Sequence, residues 1–288
     1  MADTTTIAVL QTYRKPRLNQ RRKTILYFAL SAILLLGIAV FGSLMSEAAV
    51  TTHADAKNLA PSPQHILGTD WLGRDMLART LKGLSISIFI GIFASAISAI
   101  LAGILGLMAA SFGKTVDAII EFFINVVMGI PHLLLLLLIS YALGKGMFGI
   151  VVAVAVSHWP TLARVIRGEV LGLKEATYVK IAAKLGQSKI KVARKHMLPH
   201  IFPQFLVGLI LLFPHAILHE AALTFLGFGL RPEQPGIGVI LSESMKYLSL
   251  GMWWLAFFPG IALLLTVLLF DLMGSSFRRL IDPHSAHN

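Results

Sequence analysis

Residues Arg164 to Lys195 read RVIRGEVLGLKEATYVKIAAKLGQSKIKVARK, nine Lys/Arg against only Glu169 and Glu175. On either side lie the apolar stretches Gly146–Ala163 and His196–His219. Each can cross a bilayer at roughly 1.5 Å per helical residue. A polar insert of this length between two spans is unusual, and its own pattern is helical. Tyr178, Ile181, Ala182 and Leu185 fall at i, i+3, i+4 and i+7, with Lys180 and Lys184 on another face, which predicts a helix over Lys174–Leu185. Gly186 supplies the left-handed residue that stops it. Ser188 then caps a second short helix, Lys189–His196, ending before Leu198-Pro199. Two readings fit: an amphipathic hairpin held at the lipid surface by its lysines, or a docking element for a cytoplasmic partner.

Outward from this insert, the chain as a whole has 288 residues, 56% hydrophobic and 14% charged, with no Cys and a net charge of +11. Mean hydropathy is +0.76. Soluble domains carry roughly a quarter charged residues, so this chain is a polytopic membrane protein. Disorder, a disulfide-stapled module and a thiolate metal site are excluded. Charge-free stretches predict six spans: Thr24–Ser46, Leu84–Gly113, Phe122–Gly144, Gly146–Ala163, His196–His219 and Leu248–Phe270. The second is long enough to tilt or to begin in the interface. The third and fourth meet at the Gly144-Lys145-Gly146 turn. In the fifth, Pro199, Pro203 and Pro214 predict a membrane part beginning near Ile201 and kinked.

With both termini inside, 18 of the 25 Lys/Arg lie on the cytoplasmic side and seven outside, which orients the chain and explains its charge without nucleic acid. The first span exceeds a signal-peptide core of 7–15 residues and is read as retained. The resulting divisions are a basic tail (1–23), the first helix (24–46), an outer loop (47–83), a five-helix core (84–274) containing the insert (164–195), and a second tail (275–288). The expected class is all-α, multi-pass, in the bacterial inner membrane.

Tyr178-Val179, Ala182 and Gly186, followed ten residues on by His196-Met197-Leu198-Pro199, resemble the "EAA" cytoplasmic loop of ABC importer permeases. Lys180 stands where that family usually has Glu, and Ile181 where it has the first Ala. Leu67 to Arg79, LGTDWLGRDMLAR, is similar to the "LGTDxLGRDxxSR" signature of dipeptide, oligopeptide and nickel permeases. Glu220 to Gly229, EAALTFLGFG, resembles their "EAALSFLGLG", and Asp271 to Pro283 resembles their C-terminal "NLMGDxLRDxLDP". The resemblance implies the type I importer permease fold, a homologous second permease, two cytoplasmic ATPase subunits that hold ATP and Mg, and an extracytoplasmic binding protein. It also implies that Glu175, Tyr178, Val179, Ile181, Ala182, Leu185, Gly186, Leu198 and Pro199 form the ATPase-coupling element. Gly68, Thr69, Asp70, Gly73, Arg74, Asp75, Glu220, Phe225 and Gly227 carry the other signatures. Thr69 or Asp70 would cap a short helix bearing Arg74 and Arg79 on the outer surface, either as a structural ion-pair motif or in contact with the binding protein.

Ionisable groups inside apolar spans are costly and face interiors or pathways. His215 and His219, at i and i+4, share a helix face, and paired imidazoles suit a divalent transition metal. They also fit a simpler role as donors to neighbouring carbonyls. PHAILHE (Pro214–Glu220) and Ser157-His158-Trp159 with Ala163-Arg164 resemble the nickel-type C permease, which adds His158 to a metal pathway. His132, His196 and His200 read as interfacial or helix-end groups. The expected substrate is nickel or another divalent metal, free or chelated. A dipeptide or oligopeptide permease and an ATPase-independent channel or carrier are the alternatives. Enzyme motifs fail: His219-Glu220 lacks a second His at Leu223, no G-x-S-x-G occurs, and no Walker A sequence is present, so any ATP is hydrolysed by partners and the chain binds no cofactor.

Overall fold

A computed structural model describes residues Gln20 to Ile281; the basic tail up to residue 19 and the tail from residue 282, including Asp282-Pro283, lie outside the described residues. Among the described residues every regular element is helical, and the only β-type pairing is a single bridge between Thr69 and Asp75. The helices are α1 (Gln20–Leu44), α2 (Met76–Ser111), α3 (Lys114–Gly129), α4 (His132–Ala142), α5 (Gly146–Lys174), α6 (Thr177–Lys184), α7 (Lys189–Val192), α8 (Leu198–Phe225), α9 (Ile237–Leu248) and α10 (Trp254–Ile281). Five of them are long and apolar enough to cross a membrane, and α3 with α4 make a sixth crossing only if counted together, because they bend by 96°.

That bend corrects the expected single span Phe122–Gly144. Pro131 has no N–H to continue the ladder and disfavours helical backbone at Ile130, which is extended here (ψ 136°). Other boundaries also move, the last span shifting from the expected Leu248–Phe270 to α10. Helix α2 begins eight residues before Leu84, capped by Asp75, whose Oδ1 accepts from the Ala78 N–H at 3.0 Å. Helix α5 runs past Ala163 to Lys174, because its first basic residues find acids on α3: Arg164 with Glu121 at 2.7 Å, and Arg167 with both oxygens of Asp117. The expected break at Pro199 does not occur. A π turn, Ala193–Met197, joins α7 to α8, and the Leu198 N–H reaches back to the Ala193 carbonyl. The widened turn seats Pro199 near the start of α8, where its missing N–H does no harm.

Helix α2 is the central post, packed on α5, α8 and α1. Helix α1 sits at the side against α2 and α10. It buries Ser31, Leu35 and Gly42 while presenting Leu26, Leu36 and Phe41 outward, as a lipid-facing helix does. Gly42 makes the contact with α2: a Cβ there would collide with the Leu81 carbonyl oxygen, so only glycine lets the two backbones approach.

Candidate functional site

The broken pair α3–α4 opens a cavity of about 670 Å³ against α5 and α8. Its wall runs along Val127–His132, across Ser157, His158 and Thr161, to Leu212, His215 and His219, with no carboxylate among them. Three imidazoles from three helices meet here. The ring centroids of His132 and His158 lie 4.6 Å apart, those of His132 and His219 4.7 Å, and those of His158 and His219 5.1 Å. One donor atom from each ring lies within 4.8 Å of the other two. His215 lines the same cavity one turn away on α8.

The sequence pairing of His215 with His219 therefore identifies the helix face, while the close cluster is His132, His158 and His219. His132 is the residue that sequence reading missed. It does begin a helix, as expected, but the bend before it turns that helix end inward. The signal was Pro131, which breaks a continuous apolar run and makes the next residue the first of α4. His158 is held in one tautomer. Its Nδ1 lies 2.9 Å from the Val154 carbonyl and 3.0 Å from the Ser157 hydroxyl. A carbonyl only accepts, so Nδ1 carries the proton and Nε2 keeps its lone pair. Nε2 of His158 and Nε2 of His132 are buried without a hydrogen-bond partner.

At one end of α2 lies the insert. Helix α6 starts at Thr177, three residues later than expected, because the chain turns at Glu175-Ala176. Val179 and Ala182 are buried in the apolar cluster that also holds the ends of α2 and α5, whereas Tyr178, Ile181 and Leu185 are exposed, Leu185 by 75%. The expected common face is thus divided: Ala182 anchors the helix, and Tyr178, Ile181 and Leu185 point away from the bundle. Gly186 adopts φ +78°, and the Gln187 N–H closes on the Ala182 carbonyl at 3.2 Å, the six-to-one bond of a Schellman stop. Ser188 caps α7 through the Lys191 N–H. Leu198 and Pro199 are exposed beside this element. Glu175 accepts from Lys180 at 2.7 Å, and that ammonium holds its carboxyl below the ordinary carboxylate range.

At the other end of α2 the LGTDWLGRD segment forms a buried knot. Asp70 is fully buried and accepts from the Leu72 and Arg74 N–H groups, Arg74 Nε at 2.6 Å and Arg79 Nη1. Arg79, 1% exposed, reaches Glu243 of α9 with Nη2 at 2.9 Å. The expectation that Arg74 and Arg79 decorate the outer surface is corrected: an unpaired guanidinium cannot be buried, but one clamped between Asp70 and Glu243 can. Thr69 donates to the Ala56 carbonyl and accepts the Leu59 N–H, and the turns at Gly68 and Gly73 take φ +76°. Asp75, beyond its cap bond, pairs with His65. Trp71 stacks on Tyr247 of α9 at 5.0 Å. In the third signature, Glu220 is fully buried and accepts from Thr224 at 3.0 Å, while Phe225 is partly exposed. The turn at Gly227 (φ +82°) bonds the loop to Lys145 and Ser140 at the α4–α5 turn.

The profile of the binding-protein-dependent transport system inner membrane component family matches residues 102–286. The chain belongs to this family. Its curated relatives include the dipeptide transport system permease protein DppC of Bacillus subtilis, 34% identical over 85% of this chain and 77% of the relative. The oligopeptide permease protein OppC of the same organism is 33% identical (87% and 82%), and the glutathione permease protein GsiD of Pectobacterium atrosepticum is 35% identical (80% and 76%). These names are of peptide and glutathione systems, so they carry the importer-permease family and not the finer resemblance to a nickel-type permease. Among solved structures, an inward-facing MetNI methionine ABC transporter chain superposes with TM-score 0.58 at 16% identity, over 72% of this chain and 98% of that one. An amino acid ABC transporter chain described with histidines gives 0.55 at 19% identity, over 70% and 94%. At such identities the likeness is one of fold, and the fold is that of a type I ABC importer permease.

Proposed function

We propose that this family member is a transmembrane permease subunit of an ATP-driven, binding-protein-dependent importer, working with a homologous second permease, two ATPase subunits and an extracytoplasmic binding protein. The observation that carries the reading is the exposed apolar face of Tyr178, Ile181 and Leu185 on a helix whose other side is anchored in the bundle. Such a face in water is a partner's seat. Helix α5 links that seat to the cavity: it carries His158 and runs unbroken to Lys174, roughly 24 Å at 1.5 Å per residue. Clamps to α3 at Arg164 and Arg167, and from Lys174 to the Ala110 carbonyl of α2 at 2.8 Å, make the same bundle answer a push on α6. ATP-driven closure of the partners would rock these helices between inward-open and outward-open states around the cavity. Positive-inside charge supports both termini in the cytoplasm of a bacterial inner membrane.

For the solute, the names of the relatives support short peptides, and a 670 Å³ cavity is in the range of small-molecule sites. A second reading, nickel or another divalent metal, bare or chelated, is favoured by the imidazole-lined wall. Uptake of labelled dipeptide and of labelled nickel into proteoliposomes holding the reconstituted importer tests both. ATP-dependent uptake that Leu185→Asp sharply reduces supports the coupling element. Uptake that continues without the ATPases would leave a channel or carrier instead.

A further inference from the structure

We infer that His132, His158 and His219 form a three-imidazole site for a first-row divalent cation in the transmembrane cavity, with His215 beside it. The inference deepens the second solute reading and rests on it only for the ion's role as cargo. Imidazole nitrogens bind zinc at about 2.0–2.1 Å, so donors sharing an ion stand roughly 3–4 Å apart. The three donor atoms here lie within 4.8 Å of one another. Closing them on one ion moves each by about 0.7 Å at most for bonds of that length, a small ring rotation.

Three features separate this cluster from histidines that merely satisfy carbonyls. His158 gives its Nδ1 proton to the Val154 carbonyl, the outer bond that ligating imidazoles use to fix orientation and free Nε2. Nε2 of His158 and of His132 are buried with no partner. The ligands come from α4, α5 and α8, so an ion between them ties together the segments that a rocking cycle would part. The lining has no carboxylate to neutralise a dication and the chain has no thiol, so nitrogen-preferring ions such as Co²⁺, Ni²⁺ and Zn²⁺ are selected, and held weakly enough to leave.

The test is titration of the purified, assembled importer with Co²⁺ alone, read by visible ligand-field bands and by thermal stabilisation. We expect one ion per copy of this chain. Each of His132→Gln, His158→Gln and His219→Gln should weaken it at least tenfold, and the triple variant should abolish both signals. His196→Gln and His200→Gln, outside the cavity, should leave them unchanged. Retained ATPase activity shows that the variants are folded and assembled. No bound Co²⁺ in the parent, or unchanged binding in the triple variant, overturns the site, even if labelled nickel is imported. Binding as expected by an importer that moves peptides and not metal establishes the site and overturns the cargo role.

Discussion

The two ends of α2 carry signature segments of similar length and opposite condition. At one end, the LGTDWLGRD knot closes on itself: Thr69, Asp70 and Arg79 are at most 1% exposed, and the Asp70 charge is answered within the chain. At the other end, α6 leaves Tyr178, Ile181 and Leu185 in the open. A motif finished inside the chain maintains the chain; a motif left unfinished is what the proposed docking of a partner would use. The contrast says that substitutions in the knot should cost folding, whereas substitutions on the outer face of α6 should cost coupling and little else.

The largest expected effect is in the knot. Asp70→Ala leaves Arg79 buried with half its ion pairs, a loss of about 3–5 kcal/mol for a broken buried pair. Thermal unfolding in detergent should show it, with poor accumulation in the membrane. If Asp70→Ala melts like the parent, the knot is not what holds the outer loop. Next, Leu185→Asp should leave the melting curve of the isolated chain in place while stimulation of the partner ATPases falls roughly tenfold, about 1.4 kcal/mol of docking. A parallel drop in stability would mean α6 is a structural helix.

A more local effect, of comparable size, is expected at Gly186. Its φ of +78° costs a side chain about 1–2 kcal/mol, yet nothing lies within 4 Å of an added Cβ. Gly186→Val should therefore fray α6 locally, seen as faster hydrogen exchange at Leu185 and Gln187, with the bundle unaffected. The smallest effect is at the exposed Glu175–Lys180 pair. Glu175 titrates below its unfolded value, so the pair contributes above the ordinary carboxylate range and is lost as pH falls through the lowered folded value. Lys180→Ala should return the titration towards the ordinary carboxylate value without moving the melting temperature.

Much of the fold was legible because its signals are local. Apolar run lengths give the crossings, Gly186 stops α6, and Ser188 starts α7 where the pattern places it. What escaped depends on distant partners. Arg164 and Arg167 look like loop charges until Glu121 and Asp117, 43 and 50 residues away, take them up and α5 continues. Arg79 looks like a surface residue until Glu243, 164 residues on, reaches it. The cavity shows the same division. The i, i+4 spacing marks His215 and His219, but His132 joins the cluster only through a bend of 96°, an angle that Pro131 announces without giving its direction.

Helix α5 also contains Pro160, two residues beyond His158. Proline cannot donate, so the Val156 carbonyl lacks its helical N–H, and the backbone ladder is weakest next to the imidazole that faces the cavity. The helix between the proposed docking face and the cavity thus has its least-bonded turn beside His158. A stroke delivered at α6 would arrive at His158 as a change of angle more than of height, swinging one wall of the cavity past the others.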